Sequence, residues 1–132
     1  MLETEDISHP RCRVVLMDTI TKVTPAHAGA VVISGSHGGT SSGRFALAAP
    51  LRLAVFNDAG IGKDEAGVAA LHMLQAQGLA AVTVAHTSAR IGDARDTWEH
   101  GIISRTNAAA HALGLHAGLR LRHALDALPG KG

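Results

Sequence analysis

The 132-residue sequence predicts a single α/β domain: a mostly parallel sheet with helices on both faces, a Rossmann-like three-layer arrangement. Three observations carry that expectation. Short continuous apolar runs rich in β-branched residues, at 30–33, 51–56 and 79–84, have the pattern of strands buried on both faces. Helical periodicity fills the space between the second and third runs, and each run opens into a polar, mostly glycine-bearing loop. No repeat, low-complexity stretch or linker divides the chain, so residues 1–132 are expected to form one domain.

The first ten residues, ending at Pro10, read as a loose lead-in, and 129–132 as a frayed tail. Residues 13–17 read as a strand that could continue with alternating character to Val23. Thr24, Pro25 and Gly29 have the order of cap, first helical position and stop, which predicts one helical turn. The strand at 30–33 is followed by the loop 34–43 and a helix over 42–49, halted at Pro50. After the strand at 51–56, Asp64 is placed to cap a helix whose stripe is Val68, Leu71 and Leu74, closed by Gly78.

Beyond Asp93 two readings stand. One is a long helix over 96–113, stopped at Gly114. The other is a short strand at Ile102 and Ile103, with a helix from Asn107 to Leu113, and the helix over 107–113 is preferred. In the tail, Leu121, Leu125 and Leu128 have helical spacing, whereas Leu119 and Leu121 alternate as in a strand.

Composition narrows the function classes. Twelve Lys and Arg against eleven Asp and Glu leave a formal charge of +1, which argues against nucleic acid as a partner. Aromatic residues are 2% of the chain (Phe45, Phe56 and Trp98), too few for stacking platforms. One cysteine, Cys12, excludes an internal disulfide. The acidic N-terminus lacks a signal-peptide pattern, and no apolar run approaches bilayer length. The expected setting is therefore cytoplasmic, without a membrane partner. Glycine is enriched: eight of the fifteen lie between Gly29 and Gly67, where loops shaped around a ligand are expected.

Open parallel sheets bind ligands at the carboxyl ends of their strands. In the first loop, Ser36, Gly38 and Gly39 are expected to present hydroxyl and backbone N–H groups to a carboxylate, phosphate or oxyanion. The loop has neither the Walker A nor the G-x-G-x-x-G spacing, so no nucleotide or other organic cofactor is implied. His37 in its middle suits proton transfer near neutral pH. His72, His111, His116 and His123 read as solvent-facing.

In the second loop Asp58, Lys63 and Asp64 form the densest ionisable cluster, with Asn57 beside them. Asp58 is the first candidate for acid or base, Lys63 for neutralising charge, and Asp64 is better explained as a cap. The third loop adds His86, Thr87, Ser88 and Arg90, whose guanidinium fork suits a carboxylate or phosphate, or else pairs with Asp93. Ser104, Arg105 and Asn107 could close the site, Asn107 equally serving as a cap. No local ligand spacing implies a metal, though His37, His86 and Asp58 could converge as three ligands.

The expected function is acid/base chemistry on a small polar or anionic carbonyl or amide substrate. Hydrolysis is preferred, with lyase and isomerase reactions as relatives. Asp58, His37 and Lys63 are the expected catalytic set; Ser36, Gly38, Gly39, Asn57, Ser88 and Arg90 are the expected substrate- or anion-binding set. The alternative is a non-catalytic small-molecule-binding or accessory subunit of a larger complex. Alanine-rich helical faces at 46–49 and 108–110 suggest close packing between copies, hence a homo-oligomer.

Overall fold

The structure, a computed structural model, describes residues 4–129 and holds one six-stranded mixed sheet. Its strands are β1 (Glu5–Ile7), β2 (Val14–Met17), β3 (Val31–His37), β4 (Leu53–Asn57), β5 (Ala81–Val84) and β6 (Ile103–Thr106). They lie side by side in chain order; β2 to β5 are parallel, and β1 and β6 are antiparallel edges. The sheet is thus only partly parallel. Sequential order also lacks the reversal that creates a switch point in doubly wound sheets.

Alternation along the strands explains two cores. Val14, Leu16, Val31, Ile33, Val55, Val82 and Val84 face one side, under Trp98 of α3 (Ala94–His100), Ala110 of α4 (Ala108–Ala112) and Leu121 and Leu125 of α5 (Leu121–Leu125). Val15, Met17, Val32, Ala54 and Phe56 face the other, under Ala46 of α1 (Thr40–Ala46) and Leu71 and Leu74 of α2 (Ala69–Gln75). The four central strands bury both faces, which is why they read as unbroken apolar runs. Ala46, Ala49 and Ala110 are buried against the sheet. Part of the small-residue character of both segments therefore serves packing within the chain.

Several boundaries differ from the sequence reading for physical reasons. The lead-in holds β1, a polar edge strand fastened by Asp6 to Arg13 at 3.1 Å and by Glu5 to Arg95. β2 stops at Met17, followed by a 3-10 turn at Ile20–Lys22. The turn at Pro25–His27 forms as expected, with the Thr24 amide donating to His27 Nδ1 at 3.0 Å. β3 continues to His37 through the expected loop: the Ser34 hydroxyl donates to Val55 O at 2.7 Å, and Ser36 Oγ accepts from the Ile20 amide at 2.9 Å.

Of the two readings beyond Asp93, the short strand is the one that forms, as β6 and then α4, with Asn107 as its cap. The tail is helical from Leu121, and Leu121, Leu125 and Leu128 are buried. Pro129 apart, the expected frayed tail lies outside the described residues. No helix among the described residues is long and apolar enough to cross a membrane.

Candidate functional site

Parallel register brings the ends of β3, β4 and β5 to one edge: His37 pairs with Asn57, and Asn57 with Val84. The first two loops border an open hollow of about 380 Å³, lined by His37, Gly39, Thr40, Ala59, Ile61, Gly62, Ala66 and Gly67. That volume lies within the range of small-ligand sites. The third loop stands beside it at His86 and then crosses to the other face. There the Gly92 amide donates to Gly35 O at 2.7 Å, and a Cβ on Gly35 would fall 2.3 Å from Asp93 N.

The wall formed by the second loop is conformationally unusual. Ala59, Ile61, Asp64 and Glu65 have φ of 50°, 68°, 56° and 57°, beside Gly60 and Gly62 at 78° and 73°. Left-handed backbone is costly for residues with a Cβ, and most so for a β-branched one. The segment is held down by the Ile61 amide on Asp58 O (2.6 Å) and the Gly67 amide on Ile61 O (2.7 Å). Gly67 permits this close approach, since a Cβ there would stand 2.0 Å from Asp58 O. Asp64 does not cap the helix: it lies inside the left-handed path, and no side-chain cap forms at the start of the Lys63–Val68 turn.

Asp58 is buried beneath this wall, 4% exposed. Its Oδ1 accepts from the Gly60 amide at 2.8 Å, the His86 amide at 3.0 Å and the His86 ring Nδ1 at 3.3 Å. Burial, the largest single influence, pushes its pKa up. Hydrogen bonds from the Gly60 amide, the Ser104 hydroxyl and the His86 amide and ring together outweigh it, and the carboxyl titrates below its ordinary range. Asp58 is therefore an ionised acceptor, and the proton between the pair belongs on His86 Nδ1. The His86 side chain is 55% exposed. Its ring lies over Gly60, whose Cβ position would be 3.6 Å from Cε1, one residue from both Ala59 and Ile61 of the hollow.

The other expected residues separate into those at the hollow and those engaged elsewhere. His37 is exposed at the rim, with its Nδ1 accepting from the Gly39 amide at 3.2 Å. The Gly38 amide donates to Asn57 O at 2.9 Å. Neither glycine amide is left to face an anion. Ser36 Oγ is taken by Ile20, and Ser88 bridges Ala85 O at 2.7 Å and the Ile102 amide at 2.9 Å. Asn57 is fully buried, its Nδ2 donating to Ala89 O and its Oδ1 accepting from the Ala59 amide. These groups shape the loops from within.

Lys63 is exposed on the left-handed segment and does not line the hollow. Arg90 lies on a different surface, beside Asp93, Arg95, Asp96, Glu99 and His100. Among the described residues no three His, Cys, Asp or Glu side chains stand close enough to hold a metal ion, so His37, His86 and Asp58 do not converge as ligands. Asn107 is a buried structural cap, and Arg105 pairs with Glu65 at 3.0 Å.

The residue that the sequence reading undervalued is His86, considered only as a loop group or metal ligand. Its signal was its place two residues beyond a buried strand. What made it significant, the alignment of β5 beside β4, is a tertiary fact. Comparisons with protein-family models, with curated proteins and with solved structures find no match.

Proposed function

We propose that the chain is an enzyme of acid/base chemistry on a small carbonyl or amide substrate, with His86 as the proton-transfer group and Asp58 as its positioning residue. The observation that supports this is the Asp58–His86 pair at the carboxyl edge of the sheet. A buried carboxylate fixes one ring nitrogen as donor, leaving Nε2 with a lone pair to accept a proton. This is the base-and-orienter half of a hydrolytic constellation. His86 takes a proton from water or from carbon beside the carbonyl and returns it to the leaving group. Hydrolysis is the preferred outcome, with elimination or isomerisation as variants.

The substrate occupies the adjoining hollow. Ala59, Ile61 and Ala66 would receive its apolar part, and His37 and Thr40 its polar or anionic end. His37 Nδ1 already accepts from Gly39, so in the neutral ring the proton lies on Nε2, ready to donate. Asp58 thereby moves from the role of direct acid or base to that of orienting group, because the carboxyl is buried and its Oδ1 accepts from three protein donors.

A second reading, a non-catalytic small-molecule-binding or accessory subunit, draws on the same geometry. The Gly38 and Gly39 amides and the Ser36, Asn57 and Ser88 side chains are all internally bonded, which suits a rigid receptor as well as a catalyst. Turnover of a panel of p-nitrophenyl esters, anilides and 2-hydroxy acids separates the two. The catalytic reading predicts turnover that His86→Asn lowers about 100-fold or more. Binding in the hollow with no turnover by the wild-type chain overturns it in favour of the receptor.

A further inference from the structure

A second hollow, of about 310 Å³, opens between α2 and the end of β6, apart from the site described above. Val68 and Leu71, both buried, form its apolar base, and Glu65, His72, Gln75 and Arg105 form its rim. The segment 65–68 is shared between the two hollows: Glu65 and Val68 line this one, Ala66 and Gly67 the first.

The polar groups left over at the rim are mostly donors. Arg105 Nη1 donates to Glu65 at 3.0 Å; among the described residues the guanidinium has no other acceptor, so most of its N–H groups remain available. Gln75 Oε1 is taken by the Ala109 amide at 2.8 Å, which leaves the N–H donors of the Gln75 side chain. His72 has no hydrogen-bond partner among the described residues and supplies one more N–H in its neutral form. Asn107 also lines the hollow, but its side chain is spent on backbone groups. The acidic group of the lining, Glu65, already faces Arg105. Their side chains are 59% and 47% exposed, so water screens the pair and the guanidinium is held weakly. A ligand can share or take over that cation at little cost.

We infer that this hollow is a binding site for a small amphipathic monocarboxylate, separate from the proposed substrate site. The carboxylate docks on the Arg105 guanidinium, whose planar fork suits parallel hydrogen bonds, with Gln75 and His72 as further donors. The apolar body lies against Val68 and Leu71. A monoanion fits because a single guanidinium meets it beside the Glu65 carboxylate, which would repel a phosphate dianion.

The test titrates phenylpropionate into the full chain near neutral pH and follows the backbone amide ¹H–¹⁵N shifts. The proposal predicts saturable shifts at Leu71, His72 and Gln75 and from Arg105 to Ala108. Neutral phenylpropionamide, and acetate, which lacks the apolar body, bind more weakly. Arg105→Gln lowers the affinity for the acid about tenfold or more. Glu65→Gln, which removes the competing carboxylate, raises it, whereas an ion pair that merely braces the hollow would make both variants bind worse. Shifts confined to His37, Thr40 and Ala59 would place the probe in the first hollow and overturn the proposal. No saturable shift, equal affinity for the acid and its amide or for acetate, or a loss of affinity in both variants would overturn it as well. The comparison of the three probes on the wild-type chain decides the matter without any variant.

Discussion

The Asp58 carboxylate holds both the backbone and the ring of His86, through the amide at 3.0 Å and Nδ1 at 3.3 Å, although 28 residues separate them. One buried oxygen thus sets the path of the β5 loop and the orientation of the imidazole on it. The same oxygen accepts from the Gly60 amide and ties down the wall of the hollow. Loop geometry and proton-transfer geometry share a single anchor.

Asp58→Asn keeps an oxygen for the Gly60 and His86 amides while removing the charge that fixes the His86 tautomer. The expected outcome is a folded protein with turnover lost. A well-folded Asp58→Asn protein with undiminished activity contradicts the role assigned to the pair.

The same carboxylate links stability to acidity. Its pKa in the folded state lies below that in the unfolded chain, so its contribution is present above the unfolded value of about 4 and is lost as pH falls through the folded one. Wild-type protein is expected to lose more thermal stability between pH 6 and pH 3 (roughly the carboxyl range) than Asp58→Asn does. Parallel slopes from the two proteins in thermal melts would count against it.

The left-handed segment allows a matched pair of substitutions. Ala59 is exposed with φ 50°, and Ala59→Gly should stabilise by about 0.5–1 kcal/mol by removing a Cβ from that region. Gly62 has φ 73° and ψ −172°, a region essentially confined to glycine, with open space around it, so Gly62→Ala should cost about 1–3 kcal/mol through conformation alone. Urea denaturation measures both, and the opposite order of midpoints would refute the conformational account.

Asn107 holds four backbone groups: Oδ1 accepts from the Ala81 and Ala110 amides, and Nδ2 donates to Leu71 O and Leu79 O. Asn107→Ala orphans them at a buried position and should destabilise by about 3 kcal/mol or more. A loss under about 1 kcal/mol would show water reaching these groups.

Much of the fold was legible in the sequence because burial on both faces leaves long apolar runs, as at Val31–His37 in its first half and at Leu53–Asn57. The edges were not. β1 reads EDI and β6 ISRT, and short polar strands take their structure from a neighbour rather than from their own pattern. The same reason hid the continuation of β3 through Ser34-Gly35-Ser36, polar residues whose partners lie 16 to 21 positions away.

At the site, Asp58 and His37 were visible by position after apolar runs. His86 as Asp58's partner depended on which strands are neighbours. Asp64 misled because a capping residue type at the right offset says nothing of φ, and the Gly60 and Gly62 turns had already sent the chain left-handed.

The most direct measurement is a long-range ¹H–¹⁵N correlation spectrum of the His86 imidazole near neutral pH, in wild type and in Asp58→Asn. With Asp58 as acceptor, the neutral wild-type ring carries its proton on Nδ1 and leaves Nε2 bare, and the substitution brings in the other tautomer. A neutral wild-type ring protonated on Nε2, indifferent to the loss of the carboxylate, would contradict it.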